Sequence, residues 1–441
     1  MNHDDTEKRK RSLRLSVGDG VFASWMIGFT QDYFTPFLLH LGGTVREVGV
    51  LSALPNVVGS LAQLKAGDIV SFLKSRRRAI SVFVFLQSLT LLAMALMALC
   101  KIPSALLFIA LVTVFTTFGA VANPAWGSLM SDLVPEDRRG SYFGWRNSVL
   151  GVVIVISSVL GGLLLYVFSA GKSHAGFLAL FGAAFLARLV SWIFLRLMYD
   201  PPITHSRKSD LTMRTFIARL KVSNFARFVA FVSLLTFSVN LAGPYFAVLM
   251  LRELDFDYFT YSVVIVTATL VMYLMMARWG RIADIVGNVR VLKFTAPIIS
   301  ILPLLWIICR HPVYLVLIQV LSGFAWAGFN LAASNFIYDS VPPEKRVRYI
   351  SYFSVFNGLM LSAGALIGGY LIRLLPPLMG SGILMLFLVS SLMRITVSVI
   401  LPIKMREVRE VSAMKSNALF FSVVGIKPLL GIERKTIGFL R

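Results

Sequence analysis

The strongest constraint on this chain is a succession of apolar stretches, each about 20 residues long and nearly free of charge, separated by short polar breaks. A hydrocarbon core about 30 Å thick takes about 20 residues of helix to cross, and it holds no water for backbone N–H and C=O groups, so each spanning segment must bond within itself. Such stretches can be marked at 17–41, 47–73, 79–99, 104–131, 140–168, 175–199, 226–251, 258–286, 291–309, 313–339, 349–375 and 379–403. The expectation is an all-α membrane protein with twelve transmembrane helices. Composition agrees: at 57% hydrophobic and 15% charged residues, the chain has too little polar surface for a soluble fold of 441 residues. The net charge of +22 raises nucleic acid as a partner, but nucleic-acid-binding proteins carry a basic face on a soluble fold, whereas here Lys and Arg come in short runs between apolar stretches. No nucleic acid is expected.

Those cations collect in alternate breaks. One set holds Lys74, Arg76, Arg77 and Arg78, then Arg138 and Arg139, Arg207 and Lys208, Arg290 and Lys293, and Lys345, Arg346 and Arg348. The other breaks show little more than one each, at Arg46, Lys101, Lys172, Arg252 and Arg310. Positive loops stay cytoplasmic, so the chain is expected as a multi-pass protein of the cell (inner) membrane with both termini cytoplasmic. The layout read from these patterns is a basic N-terminus at 1–16, a six-helix bundle at 17–199, a cytoplasmic linker at 200–225, a second six-helix bundle at 226–403 and a basic tail at 404–441. In the linker Met213, Phe216, Ile217 and Leu220 share a helical face, which suits a helix lying on the membrane and equally leaves room for a solvated connection. The first stretch is too long for a signal-peptide core and lacks a small-residue cleavage site, and Cys100 and Cys309 indicate no disulfide framework.

Sliding the chain against itself by about 200 residues brings unrelated local patterns into register. Asp32 and Pro36 match Asn240 and Pro244; Gly67 and Arg77 match Gly280 and Arg290; Cys100 to Pro103 match Cys309 to Pro312. Asp132, Val134 and Pro135 match Asp339, Val341 and Pro342, Asn147 matches Asn357, and Gly161-Gly162 matches Gly368-Gly369. The two bundles are therefore expected to be pseudo-symmetric.

The run from Gly280 through Asp284 and Gly287 to Arg290 resembles the G-x-x-x-D-x-x-G-x-x-R signature of the major facilitator superfamily (MFS), in the loop after the eighth helix where that family repeats it. The first-half copy is degraded: Gly67 and Arg77 are kept, Ser71 stands where the acid is expected and Lys74 where the second Gly is expected. The resemblance covers about residues 17 to 403 and is silent on substrate. It implies a transporter of alternating access, with helices one and seven lining a central cavity. It also implies that Asp284 meets the N-terminus of helix five near Gly140, with Arg146 as a further partner. Arg290 would then pair with Asp339 and Arg77 with Asp132, so that Gly67, Arg77, Asp132, Arg146, Gly280, Asp284, Gly287, Arg290 and Asp339 form an inner gate that latches the outward-open state; the alternative is ordinary topology signals and helix caps.

Ionisable groups in the hydrocarbon are costly, and each needs a partner, a wet cavity or a function. Asp32 is the leading candidate, as a site for a proton or a cationic group, with Asn240 facing it; the alternative is a wet vestibule or a helix-to-helix bond. Pro36 and Pro244 leave the carbonyls of Asp32 and Asn240 without their helical donors. Lys65 and Asp68, three apart, either form an internal pair or leave Lys65, with Asn56 and Gln63, facing the cavity to bind an anion. Arg188 and Arg394 are either cavity groups or snorkel. Asn123, Asn147, Asn330, Asn335 and Asn357 complete a plausible lining, with Trp25, Tyr33, Phe37 and Tyr245 as cavity aromatics. Nothing has the spacing of a metal site, phosphate loop or nucleophile, so no cofactor and no enzyme activity are expected. The expected function is secondary active transport of a small organic solute by a monomer, coupled to protons and running as export or uptake. A symporter for a carboxylate or sugar, and a non-transporting sensor or scaffold, are the alternatives.

Overall fold

The computed structural model describes residues 3–135, 139–168, 173–201, 224–341 and 343–408. The first half holds α1 (His3–Gly28) and α2 (Phe34–His40), which make the first span, and α3 (Val45–Gln63) and α4 (Ala66–Leu73), which make the second. Spans three to six are α5 (Arg76–Leu99), α6 (Ala105–Leu133), α7 (Arg139–Val167) and α8 (Ser173–Leu197). In the second half α9 (Asn224–Ala242), α10 (Tyr245–Val248) and a π-helical turn (Leu249–Glu253) make the seventh span. Spans eight to twelve are α11 (Tyr258–Val286), α12 (Asn288–Ile308), α13 (Pro312–Ser340), α14 (Pro343–Leu374) and α15 (Gly382–Ile400). Among the described residues 10 helices are long and apolar enough to cross a membrane by length and composition, the seventh span among them; spans one and two, each split into two helices, complete the twelve-span fold. The amphipathic segment at 213–220 and the tail beyond residue 408 lie outside the described residues.

Prolines break two of these spans where a continuous, kinked helix was expected. In the first span α1 stops at Gly28 and α2 restarts at Phe34, which puts Pro36 in an opening turn where its missing N–H costs nothing. In the seventh, Pro244 stands as the residue before α10. The second span breaks at Leu64 and Lys65 instead, without a proline at the break.

The same packing pattern recurs six spans on. Span one lies on five and six, two on four, and three on four and six; seven lies on eleven and twelve, eight on ten, and nine on ten and twelve. The halves meet where span two packs on eleven and span five on eight, an arrangement that a twofold axis exchanges. At the end of the molecule away from the N-terminus, one apolar cluster runs through both halves and includes Tyr33, Phe37, Phe108, Tyr245, Trp306 and Phe387. At the other end the core divides into one cluster within the second half, around Phe228, Trp279 and Phe336, and one within the first, around Ile80, Leu129 and Met198.

Salt links at the divided end correct one expected pair. Arg76, not Arg77, bonds Asp132, at 2.6 Å, and it also donates to the carbonyls of Ser128 and Pro201. Ser75 caps α5, so Arg76 opens the helix on its buried face, and one residue further turns the next side chain by about 100°. Arg77 accordingly points outward and donates to the carbonyls of Arg196 and Met198 at the end of α8.

Helix ends also explain the degraded signature. Gly287 has φ +91 at the end of α11, and the position that its first-half copy fills with Lys74 has φ 51. Both positions leave the helix at positive φ, Lys74 left-handed with ψ 19 and Gly287 extended with ψ 155, and only glycine does so without steric cost. A Cβ at Gly287 would also strike the Glu407 carboxylate, which accepts the Val289 N–H at 2.8 Å at the start of α12. Gly287→Ala is expected to destabilise the protein by about 1–2 kcal/mol and Lys74→Gly to stabilise it by up to about 1 kcal/mol. Melting in detergent checks both signs.

Candidate functional site

The joined end is a seal built from the two broken spans and the glycine pairs. Tyr33, buried, donates to the Ser158 carbonyl in its own half and shares a 2.8 Å hydrogen bond with Ser262 of α11. From the opposite half Tyr261 donates to the Asp32 carbonyl at 2.8 Å, the oxygen that Pro36 leaves without a helical donor. Tyr245, equally buried, donates to the Ala365 carbonyl at 2.6 Å. Ser362 reaches the Ala53 carbonyl at 3.0 Å and Arg252 the Gly43 carbonyl at 2.6 Å, both across the halves.

In the matched glycine pairs the first members pack alike, each against its own half, while the second members differ. A Cβ at Gly161 would fall 2.7 Å from the Tyr33 ring of its own half, while one at Gly162 would strike Ser262 of the other. A Cβ at Gly368 would strike the Leu241 carbonyl of its own half, while Gly369 sits under the Tyr245 hydroxyl and near Arg46 of the other. Small residues let these backbones approach where side chains would hold them apart.

Asp32 lies within this seal, half-buried, with its carboxylate accepting the Ser158 hydroxyl at 2.6 Å. Asn240, expected to face it, donates its side-chain amide back to the Thr236 carbonyl of its own helix at 2.9 Å. Lys65 and Asp68, expected either as an internal pair or with Lys65 facing a cavity, form an exposed pair 3.7 Å apart with side chains 76% and 79% accessible. Its position at the break of the second span accounts for that exposure. Asn56 donates to Ser52 in its own helix, and Gln63 is half-buried. Asn123, Asn147 and Asn330 are exposed, Asn335 is half-buried, and Asn357 keeps its side-chain oxygen buried with no hydrogen-bond partner among the described residues.

Of the gate candidates, Gly67 faces open space and Gly280 lies against Leu331. Asp284 is exposed at the end of α11; residues 136–138, which precede helix five, lie outside the described residues. Asp339 accepts from Asn288 at 2.8 Å, and Arg290 donates to the Val286 carbonyl at 3.4 Å. Arg146 is buried in its own half, donates to the Ser16 carbonyl at 3.0 Å and lies over the Trp126 ring. It stands on the face of α7 turned toward α1, away from α11.

Three residues near it escaped the sequence reading as a group. Asp19, Gln87 and Arg188 are all buried, and Ser191 links Asp19 to Arg188. Asp19 carried a usable signal, an acid inside the first apolar stretch, but it stands two residues from the assigned edge at 17. The helix begins at His3, so Asp19 is well inside it.

The MFS family model matches residues 20–238 and 228–430, each corresponding to one half. An uncharacterised MFS-type transporter of Methanocaldococcus jannaschii is 21% identical over 404 residues, covering 86% of this chain and 96% of the relative. Among solved structures, the nucleoside transporter NupG superimposes with a TM-score of 0.62 at 15% identity over 90% of this chain and 98% of that one. A bacterial homologue of the human lysosomal transporter Spinster, inward-facing and unoccupied, gives 0.63 at 14% identity over 89% and 95%. A bacterial homologue of the iron transporter ferroportin in its inward-facing state gives 0.63 at 15% identity over 92% and 100%. With two halves of matched packing, a seal at one end and a family match across both halves, this chain belongs to the major facilitator superfamily and is a membrane transporter, not an enzyme.

Proposed function

We propose that this transporter moves a small organic solute across the cell (inner) membrane by alternating access, driven by the proton gradient, with Asp32 taking up the proton. The observation that carries this reading is the divided core: one apolar cluster joins the halves at one end, and two separate clusters replace it at the other. A carrier needs contacts between its halves that form in one state and break in the other. The basic breaks lie at the divided end, so this arrangement corresponds to a carrier open to the cytoplasm, with both termini on that side. Two contacts support Asp32 as the coupling group: its carboxylate binds α7, and its backbone is held by α11 of the other half.

Purified protein in liposomes under an imposed pH gradient tests the reading, with cationic, sugar and carboxylate solutes in the external medium. Uptake of at least one class above that of empty vesicles, collapsing when a protonophore is added, is expected. Absence of gradient-dependent flux for every class would reject it.

A further inference from the structure

We infer that the N-terminal half contains a binding pocket for an organic monoanion, a solute with a carboxylate or phosphate head and an apolar body. Its role as a transport site rests on the carrier reading above; its chemistry does not. A cavity of about 400 Å³ lies among spans one, three, four, five and six, with Asp19, Gln87, Asn123, Trp126, Arg146 and Arg188 on its wall. That volume falls in the range of small-molecule sites.

The charges do not balance. One carboxylate, Asp19 (4% exposed), stands beside two guanidinium groups, Arg146 (6%) and Arg188 (9%), with Asp19 3.9 Å from Arg146. Arg188 has five N–H donors and spends two, on Gln87 at 2.8 Å and Ser191 at 3.1 Å; the others have no acceptor among the described residues. Arg146 uses its Nε and Nη2 on the Ser16 carbonyl and rests its face on Trp126. An excess positive charge buried at membrane depth is costly without a counter-charge. The planar fork of a guanidinium matches a carboxylate or phosphate, so a monoanion would satisfy both the charge and the spare donors.

The matching position in the other half acts as an internal comparison. Arg394 is also buried in its bundle, but its Nε, Nη1 and Nη2 reach Ser390, Ile299 and Val239, so each of its nitrogens has an acceptor. That arginine is a structural group, whereas Arg188 borders a cavity. Met26, Ile27 and Phe115 add apolar wall, and the exposed Gln31 and Asn123 also line the space, so it is reachable from outside.

Calorimetric titration of the purified full chain tests the assignment, using benzoate and phenyl phosphate as aromatic anions and benzyl alcohol as their neutral counterpart. At least one of the two anions is expected to bind about tenfold or more tightly than the alcohol. Arg188→Gln should weaken that anion by about tenfold; it leaves Asp19 balanced by Arg146, so the bundle keeps its charge pairing. Asp19→Asn should act with the opposite sign and tighten binding, because it removes the competing negative charge. Equal affinity for anion and alcohol, or weaker anion binding in Asp19→Asn, would overturn the proposal. So would chloride or inorganic phosphate binding more tightly than either aromatic anion, since the site would then hold an inorganic ion. Anion binding without any liposomal flux would reject the carrier reading and leave the pocket, whereas flux of other solutes with flat anion titrations would reject the pocket alone.

Discussion

Gly162→Val is expected to hold the sealed end apart and to lower transport by at least about tenfold. A side chain there meets Ser262 and, at 3.1 Å, the Tyr258 carbonyl, both on the opposite half. Ser262 has little room to yield, because its hydroxyl is held between the Tyr258 carbonyl, at 2.7 Å, and the Tyr33 hydroxyl, at 2.8 Å. Overpacking of this kind costs about 1–3 kcal/mol, which moves a two-state equilibrium by about 5- to 150-fold. The native cysteines report on it directly. Cys100 and Cys309 are free and sit at the sealed end on spans three and nine, one in each half, so spin labels on the pair measure the separation. The mean distance should lengthen in Gly162→Val; an unchanged distance with normal flux would show that the seal does not close through this contact.

A second large effect is expected at Asp32. Asn at this position keeps the size and can still accept the Ser158 hydroxyl, and the Tyr261 bond survives because it is made to the backbone. What disappears is the carboxyl that can take up and release a proton. Uptake driven by a pH gradient should fall by more than about tenfold, to the level of empty vesicles, while exchange of solute at equal pH continues and the melting temperature stays near that of the unmodified protein. Gradient-driven uptake that persists in Asp32→Asn would move the proton site elsewhere, with Asp19 the next intramembrane acid to replace.

The two broken spans show where legibility ends. Pro36 and Pro244 announced a disturbance at matched heights, and the orphaned carbonyl of Asp32 followed from the missing N–H alone. That the donor to this oxygen is Tyr261 could not be read, because the two residues are 229 apart and belong to different halves. The exposed Lys65–Asp68 pair is a similar case: the spacing brings the groups together, but only the break beside them sets how much water they meet.

The amino-acid order alone determined the membrane class, the spans, the side on which cations gather, the repeat and the superfamily. Each follows from a one-dimensional property, since lipid makes every span satisfy its own backbone and hydropathy, charge and motif spacing are all read along the chain. Tertiary structure decided that Arg76 and not Arg77 holds Asp132, that Arg146 turns inward, and that Asp19, Gln87 and Arg188 border one cavity. Those outcomes depend on helix rotation, where one residue is about 100°, and on which faces of distant spans meet. A chain long enough to repeat itself states its architecture openly, but the wall around a buried charge comes from five different helices and is settled only when these pack.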